Sequence, residues 1–328
     1  MTKLDVLYTS DRKYLDTMLV SMYSLLKESD IESVRFHLIT SRFNQEDYNR
    51  IEKLKGLYDN IDIWYYNLDN YHIERYNIPC FKESQLPNAR LFFQDILGSN
   101  LLDIDKLLYL DCDTIVVSSL KEMSKYEGSI LACKDTMKKR YFSSFGLENY
   151  YNSGVLLFDV QAWIKNNCQE RIINFVKNSK FHLKYPDQDI INCALTDEYR
   201  ELPLSYNVPS TIFVYGNIFR DLYFDTDIRN ITKTDIKQAR ENPKILHCYG
   251  IPNVRPWNTN FHPYYGEYMK YMEEINPDFS MEELDQMMKF KVSHPNLYEM
   301  YLLLKNKDKL PHKTLKKVKK IMTNFNQK

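Results

Sequence analysis

Two aspartates one residue apart, Asp111 and Asp113, stand inside an otherwise apolar run from Lys106 to Val117. A run of this length, bounded by charge before it and by Ser118-Ser119 after it, predicts a buried strand. Side chains two apart on extended chain share a face, so both carboxylates are expected to converge. Carboxylates held together repel and resist desolvation unless a cation or a proton lies between them. A hard divalent ion accepts oxygen ligands and cancels that charge. An acidic turn facing water explains an isolated Asp-x-Asp about as well. The apolar strand before the pair and Thr114-Ile115-Val116-Val117 after it favour the metal.

Other residues of chemical interest have plainer readings when taken alone. Arg90, in Pro87-Asn88-Ala89-Arg90-Leu91-Phe92-Phe93, reads as a solvated charge on a helix. Asn152-Ser153-Gly154, before the apolar run Val155–Phe158, reads as a turn into a strand, its glycine allowing unusual backbone angles. Pro186-Asp187-Gln188-Asp189 reads as a proline-started helix on which capping accounts for Asp187. His247 closes the short apolar run from Ile245, and a lone histidine at a strand end is more often structural than a ligand.

The elements that would position these groups follow the hydrophobic periodicity. Residues 4–9, 34–40 and 61–68 read as strands, and residues 14–26 and 45–58 as helices between them. Strand alternating with helix predicts a mainly parallel, Rossmann-like open sheet flanked by helices. Ligands of such sheets sit beyond the carboxyl ends of the strands. That places the turn after residue 9 and the Asp111–Asp113 pair on one rim. No glycine-rich phosphate loop occurs. Further helices are expected at 160–164, 169–176, 264–275, 281–289 and 296–304, with a strand at 128–135 and extended chain at 201–207. The change of character beyond Pro263 suggests a catalytic domain over 1–260 and a helical C-terminal extension over 261–328.

The 328-residue chain is long enough for a sizeable core. Forty-four basic residues balance 44 acidic ones, which argues neither for nucleic acid nor for an acidic substrate, and no nucleic-acid partner is expected. Six scattered cysteines without a Cys-x-x-Cys suit neither a disulfide framework nor a zinc site. No apolar run is long enough to span a bilayer, and the first residues lack a signal-peptide core, so a cytoplasmic location is expected.

Taken together, these segments resemble glycosyltransferase family 8, a retaining family that includes lipooligosaccharide α-galactosyltransferases and glycogenin. The resemblance runs from about Asp5 to Trp257. Tyr109-Leu110-Asp111-Cys112-Asp113 matches the family's metal motif, Asn152-Ser153-Gly154-Val155 its Asn-(Ala/Ser)-Gly-Val segment, and Asp187-Gln188-Asp189 its Asp-Gln-Asp. His247-x-x-Gly250, followed by Arg255-Pro256-Trp257, resembles its His-x-x-Gly-x-x-Lys-Pro-Trp, with two extra residues and arginine in place of lysine. A haloacid-dehalogenase-type phosphatase also carries Asp-x-Asp-Thr-Ile after a strand, but there the motif normally opens the catalytic domain.

The resemblance implies a GT-A fold and transfer of galactose or glucose from a UDP-hexose, with α linkage, to a glycan or lipid-linked acceptor. It implies that Asp111, Asp113 and His247 hold Mn²⁺, with Mg²⁺ as the alternative. Two carboxylates and an imidazole suit manganese better than an all-oxygen shell does. It places Thr9, Asp11 and Tyr14 at the nucleoside, with Cys112, Gly250 and Arg255 among the donor contacts. Arg90, Asp135 and Asn152 fall at the donor sugar's hydroxyls. Asp187 and Gln188 fall on the face opposite the leaving group, with Asp189 as a competing candidate nucleophile. A glycogenin-like self-glucosylating protein and a non-catalytic sugar-nucleotide binder are the alternatives.

The chain closes on nine lysines between Lys305 and Lys328, with Asp308 as the only acid among them. Leu315, Val318, Ile321, Met322 and Phe325 recur at three- and four-residue steps, which predicts a helix with a lysine face. Such a helix suits peripheral contact with the inner face of the plasma membrane or packing on the domain.

Overall fold

A computed structural model describes residues 3–80, 84–214, 230–249, 255–281 and 294. The chain divides into two compact units. The first comprises Met1–Cys133 and Tyr151–Leu202, the second Lys134–Tyr150 and Pro203–Lys328. The boundary expected near Asn260 falls within the second unit. The helices expected beyond Met281 and the lysine-rich tail lie outside the described residues.

The first unit is built on a sheet of strands β1 (Lys3–Asp11), β2 (Ser33–Ser41), β3 (Ile61–Asn67), β4 (Lys106–Leu110), β6 (Ile130–Lys134), β7 (Tyr151–Asp159) and β8 (Tyr199–Glu201). Their order is β3-β2-β1-β4-β7-β6-β8. β1 pairs parallel with β2 and with β4, β2 parallel with β3, and β6 parallel with β8. β4 and β7 run antiparallel, Leu108 opposite Leu157. The expected mainly parallel open sheet is therefore present. Every residue from Leu4 to Ser10 is buried, as befits a central strand covered on both faces.

Helix α1 (Leu15–Glu28) covers one side with Leu15, Met18, Leu19, Met22 and Leu25. Helix α2 (Gln45–Glu52) starts with a capping box between Asn44 and Asp47. The helix expected over 45–58 ends early, passing into a 3₁₀ turn at Lys53–Gly56. Helix α3 (Cys168–Asn178) and helix α4 (Pro186–Ala194) complete the elements that matter here. Phe93, Phe158 and Trp163, their ring centroids 4.8–5.1 Å apart, fill the core beneath β7.

Two expectations are corrected. The run from Lys106 to Val117 is not one strand. β4 stops at Leu110, Asp111–Asp113 is a turn, and β5 (Thr114–Val116) follows. The amide and hydroxyl of Thr114 both donate to the Asp111 carbonyl, at 3.2 and 2.9 Å, which closes the turn. Asn152-Ser153-Gly154, in contrast, is no turn; it lies within β7.

In the second unit β9 (Val208–Pro209) pairs parallel with β10 (Ile245–His247). Helix α5 (Lys233–Glu241) opens with a Thr232–Asp235 capping box, and helix α6 (Tyr265–Ile275) buries Tyr268, Tyr271 and Met272. Residues 204–206, expected extended, form a 3₁₀ turn.

Candidate active site

The aspartate turn is held at both ends. Upstream, the Asp111 amide donates to the Gly154 carbonyl at 2.8 Å, extending the β4–β7 ladder by one bond. Downstream, α1 grips β5: Ser21 Oγ lies 2.8 Å from Thr114 Oγ1, and the Val116 amide donates to Ser24 Oγ at 2.9 Å. The turn is thus fixed by serines on α1 that face the sheet. A carboxylate oxygen of Asp111 and one of Asp113 lie within 4.8 Å of each other, on half-buried residues. The expected convergence holds, by a turn and not by strand alternation.

β1 ends beside this turn, since β1 and β4 are parallel neighbours. Asp11 caps the 3₁₀ turn Arg12–Tyr14, accepting from the Lys13 amide at 3.0 Å, while Tyr14 is half exposed. The Cys112 thiol donates to the Thr9 carbonyl at 3.3 Å, tying the two rim segments together. Burial pushes the Cys112 thiol well above its ordinary range, so it stays a protonated donor.

Arg90 corrects the surface reading outright. Only 5% exposed, it places Nη2 2.9 Å from Asp111 Oδ1 and Nε 3.5 Å from Asp187 Oδ2. Its Nη1 donates to the Ser153 carbonyl at 2.7 Å and its Nε to the Pro87 carbonyl at 2.9 Å. The guanidinium lies 4.2 Å from the ring centroid of Tyr109, whose hydroxyl donates to Asp111 Oδ1 at 2.7 Å. Burial opposes the charge on Arg90, but Asp111, Tyr109 and Asp187 outweigh it and hold the guanidinium more firmly protonated than usual.

Asp187 is not a helix cap; α4 begins after Tyr185 without a side-chain cap. Its carboxylate instead accepts from Ser153 Oγ at 3.1 Å. Burial raises the Asp187 carboxyl, Arg90 pulls it down and Asp111 raises it again, leaving it above the usual carboxylate range. Gln188 Oε1 accepts from the Ser153 amide at 3.0 Å and from Asn152 Nδ2 at 3.2 Å. A backbone N–H can only donate, so the atom facing it is the oxygen, and the Gln188 amide orientation is fixed. Asn152 is fixed likewise, its Oδ1 accepting from the Gly154 amide at 2.9 Å. Asp189 is fully buried, and its Oδ2 accepts from the amides of Lys184 and Tyr185, each at 2.9 Å.

Within the first unit, then, Arg90, Asp111, Asp113, Asn152, Asp187 and Gln188 form one connected group, with Thr9 and Cys112 linked beside it. Ser153 and Tyr109 belong to it as well, although sequence reasoning assigned them no role. Their only signal was position: Tyr109 precedes Asp111 by two residues, and Ser153 lies inside the Asn-Ser-Gly motif.

The second unit carries Asp135, His247 and Arg255. Asp135 is buried, its amide donating to the Tyr150 carbonyl at 2.9 Å. His247 ends β10, 3% exposed, with Nδ1 2.8 Å from Asn207 Oδ1. Taking that oxygen as acceptor puts the proton on Nδ1 and the lone pair on Nε2, the form in which an imidazole binds a metal. The Arg255 amide donates to Asn258 Oδ1 at 2.8 Å. Gly250 lies outside the described residues.

The profile of glycosyl transferase family 8 matches residues 5–260. General stress protein A of Bacillus subtilis (strain 168) is 27% identical over 262 residues, 76% of this chain and 86% of that protein. A lipopolysaccharide 1,2-glucosyltransferase of Escherichia coli (strain K12) is 26% identical over 266 residues, 78% of this chain and 73% of its own. The crystal structure of the galactosyltransferase LgtC, in complex with donor and acceptor sugar analogs, has a TM-score of 0.66. It is 19% identical and covers 88% of this chain and 100% of its own, which speaks for the expected GT-A fold. The phosphatase alternative falls away: the chain belongs to glycosyl transferase family 8 and is a glycosyltransferase.

Proposed function

We propose that this glycosyltransferase is metal-dependent and retaining, and moves a hexose from a UDP-hexose to a glycan or lipid-linked acceptor with α linkage. The observation that carries the reading is the buried Arg90, which joins the Asp111–Asp113 turn to Asp187 and Ser153. Two carboxylates, Asp111 and Asp187, face the guanidinium, and Asp113 lies beside Asp111 on the turn, a concentration of oxygen donors that suits a divalent cation. Asp111 and Asp113 would hold it, with His247 as the third ligand. Asn207 already leaves that imidazole in the ligating tautomer. When bound, such an ion supplies Lewis-acid neutralisation of charge on the departing diphosphate. Mn²⁺ suits the mixed oxygen and nitrogen donors, and Mg²⁺ is the alternative.

The chain's own residues do the rest. Thr9, Asp11 and Tyr14 line the nucleoside side, with Cys112 holding Thr9 in register. Gly250 and Arg255 belong to the diphosphate side, where a fixed cation would add to the neutralisation. Arg90, Asp135 and Asn152 hold sugar hydroxyls. Gln188 sits at the face opposite the leaving group. Its carbonyl already accepts from Ser153 and Asn152, and an amide is a poor nucleophile. Asp189 spends one oxygen on two backbone amides. A dissociative same-face substitution therefore fits these side chains better than a covalent glycosyl-enzyme. In it a diphosphate oxygen takes the acceptor's proton as the sugar bond breaks.

The lipopolysaccharide glucosyltransferase among the relatives favours a lipid-linked glycan as acceptor. No helix among the described residues is long and apolar enough to cross a membrane. The lysine-rich end would give peripheral contact with an anionic inner leaflet. Such contact places the reaction at the cytoplasmic face. UDP release from UDP-glucose and UDP-galactose with Mn²⁺, followed by acceptor trials with the better donor, tests the reading. Turnover of neither donor would sink it. A chain ending at Pro311 should keep UDP release and lose sedimentation with anionic vesicles at low salt. Failure of the full chain to bind those vesicles would leave the tail without this role.

A further inference from the structure

Ser153 touches three members of the donor group at once. Its carbonyl accepts from Arg90 Nη1 at 2.7 Å, its amide donates to Gln188 Oε1 at 3.0 Å, and its hydroxyl reaches Asp187 Oδ2 at 3.1 Å. The backbone bonds would survive any side chain at this position. The contributions peculiar to serine are those of the hydroxyl, which also accepts a long contact from Arg90 Nη1 at 3.5 Å. Gln188 Oε1 also lies within 3.3 Å of Ser153 Oγ. A hydroxyl has a single proton, however, and the nearer, charged acceptor claims it.

The consequence falls on the carboxylate of Asp187. Its Oδ2 accepts from Ser153 Oγ at 3.1 Å and lies 3.5 Å from Arg90 Nε, an ion pair only, since the Nε proton goes to the Pro87 carbonyl; the Gln188 backbone amide also bonds the carboxylate. The directed hydroxyl bond, beside the ion pair, sets the rotation of the carboxylate and so the direction of Oδ1. Without the hydroxyl the carboxylate keeps the Gln188 amide bond and the longer arginine ion pair, and has more freedom to turn toward the guanidinium. Hexose epimers differ only in the direction of one hydroxyl. A site that hydrogen-bonds that hydroxyl discriminates strongly when its acceptor is held, and weakly when the acceptor can rotate.

We infer that Ser153 is a positioning residue for hexose selectivity: its hydroxyl orients the Asp187 carboxylate against one epimeric hydroxyl of the donor sugar. The inference rests on the proposed function, in which Asp187 lies at the sugar face.

The test measures kcat/KM for UDP-glucose and UDP-galactose in the native chain, S153A, S153T, D187A and S153A/D187A. In S153A the preferred donor should fall about tenfold and the other less than twofold, compressing the ratio about tenfold while UDP affinity and Tm hold. S153T keeps a hydroxyl on a strand that suits a β-branched residue, and should retain the native ratio. In the D187A background S153A should leave the ratio unchanged, because the partner through which it acts is gone. Equal losses for both donors, an unaltered ratio in S153A, or a compression that persists without Asp187 would each overturn the inference. If the native chain turns over neither donor, the proposed function itself fails, and this inference with it.

Discussion

The first unit contains two buried clusters of charge, and they are built to opposite ends. One lies toward the start of the strands. Asp5 on β1 meets Arg35 and His37 on β2; its carboxylate accepts from Arg35 Nε, and His37 Nε2 lies 2.9 Å away. His37 Nδ1 is 3.1 Å from Tyr66 on β3, whose hydroxyl accepts from Asn100 Nδ2 at 3.0 Å. Arg35 also donates to the Asp103 carbonyl at 3.3 Å and lies over Trp64. One acid meets one guanidinium and one neutral imidazole, so the balance is closed. The other cluster, at the far ends of the strands, pairs Asp111 and Asp187 with Arg90, with Asp113 on the same turn as Asp111. Both bury a guanidinium; the second sets it against two carboxylates, with a third beside them on the turn. In the proposed function the first, closed cluster is structural and the second, open one carries the chemistry.

Removing the guanidinium from each cluster would split them most widely. R90M should lower UDP-hexose turnover by about 10³-fold, in line with the loss of a fixed charge from an active site. R35M should instead cost about 3–5 kcal/mol of stability, because Asp5 is left buried without its guanidinium, with only the neutral His37 beside it. Its turnover per folded molecule should stay native. Denaturant melts alongside UDP release check both; a native-like stability for R35M would break the comparison.

Q188A comes next. It should lower kcat by about 10- to 100-fold with UDP affinity unchanged, since Gln188 acts at the sugar and not at the nucleotide. Titration of UDP into the variant separates the two quantities, and a matching loss of UDP affinity would move Gln188 out of the sugar face. Proton NMR of the first-formed product should show an α linkage from an α donor; an inverted product would contradict a retaining reaction.

The smallest effect is one of pH, read at the closed cluster. Burial pulls the His37 imidazole below its ordinary value, against the opposing effect of Asp5. The unfolded chain therefore takes up that proton first, near pH 6.5. Stability should fall as pH drops below that value, until the folded His37 also titrates. Burial would raise Asp5, but its bonds to His37 and Arg35 and the Arg35 charge hold it below the ordinary range. Its contribution is present above the usual carboxylate range and is lost as pH falls through the depressed value. H37Q should flatten the stability profile between about pH 6.5 and 5. An unchanged slope there would assign it to other groups.

Much of the frame was legible because periodicity is a local property. β1, β2 and β4 announce themselves as apolar runs, and α1 by its three- and four-residue repeat. The acids at 111, 113 and 187 were legible by type. Arg90 was not, because its partners Asp111, Ser153 and Asp187 come from distant segments, and nothing in its segment, read as helix but forming a 3₁₀ stretch over Leu86–Phe92, distinguishes a buried arginine from a solvated one. The break after Leu110 was hidden for another reason. Apolar residues flank it on both sides, and the turn is made by Thr114 bonding back to a backbone carbonyl. Ser153 was read as part of a turn because small polar triplets usually are; here β7 runs straight through it.

The central claim is that the open cluster works only with a divalent cation in place. It is tested most directly by following UDP release from the better UDP-hexose in excess chelator, then with Mn²⁺ or Mg²⁺ restored, in the native chain and in D113A. The account predicts no turnover in chelator, recovery in the native chain that is greater with Mn²⁺ than with Mg²⁺, and none in a still-folded D113A. Full turnover in excess chelator would contradict it.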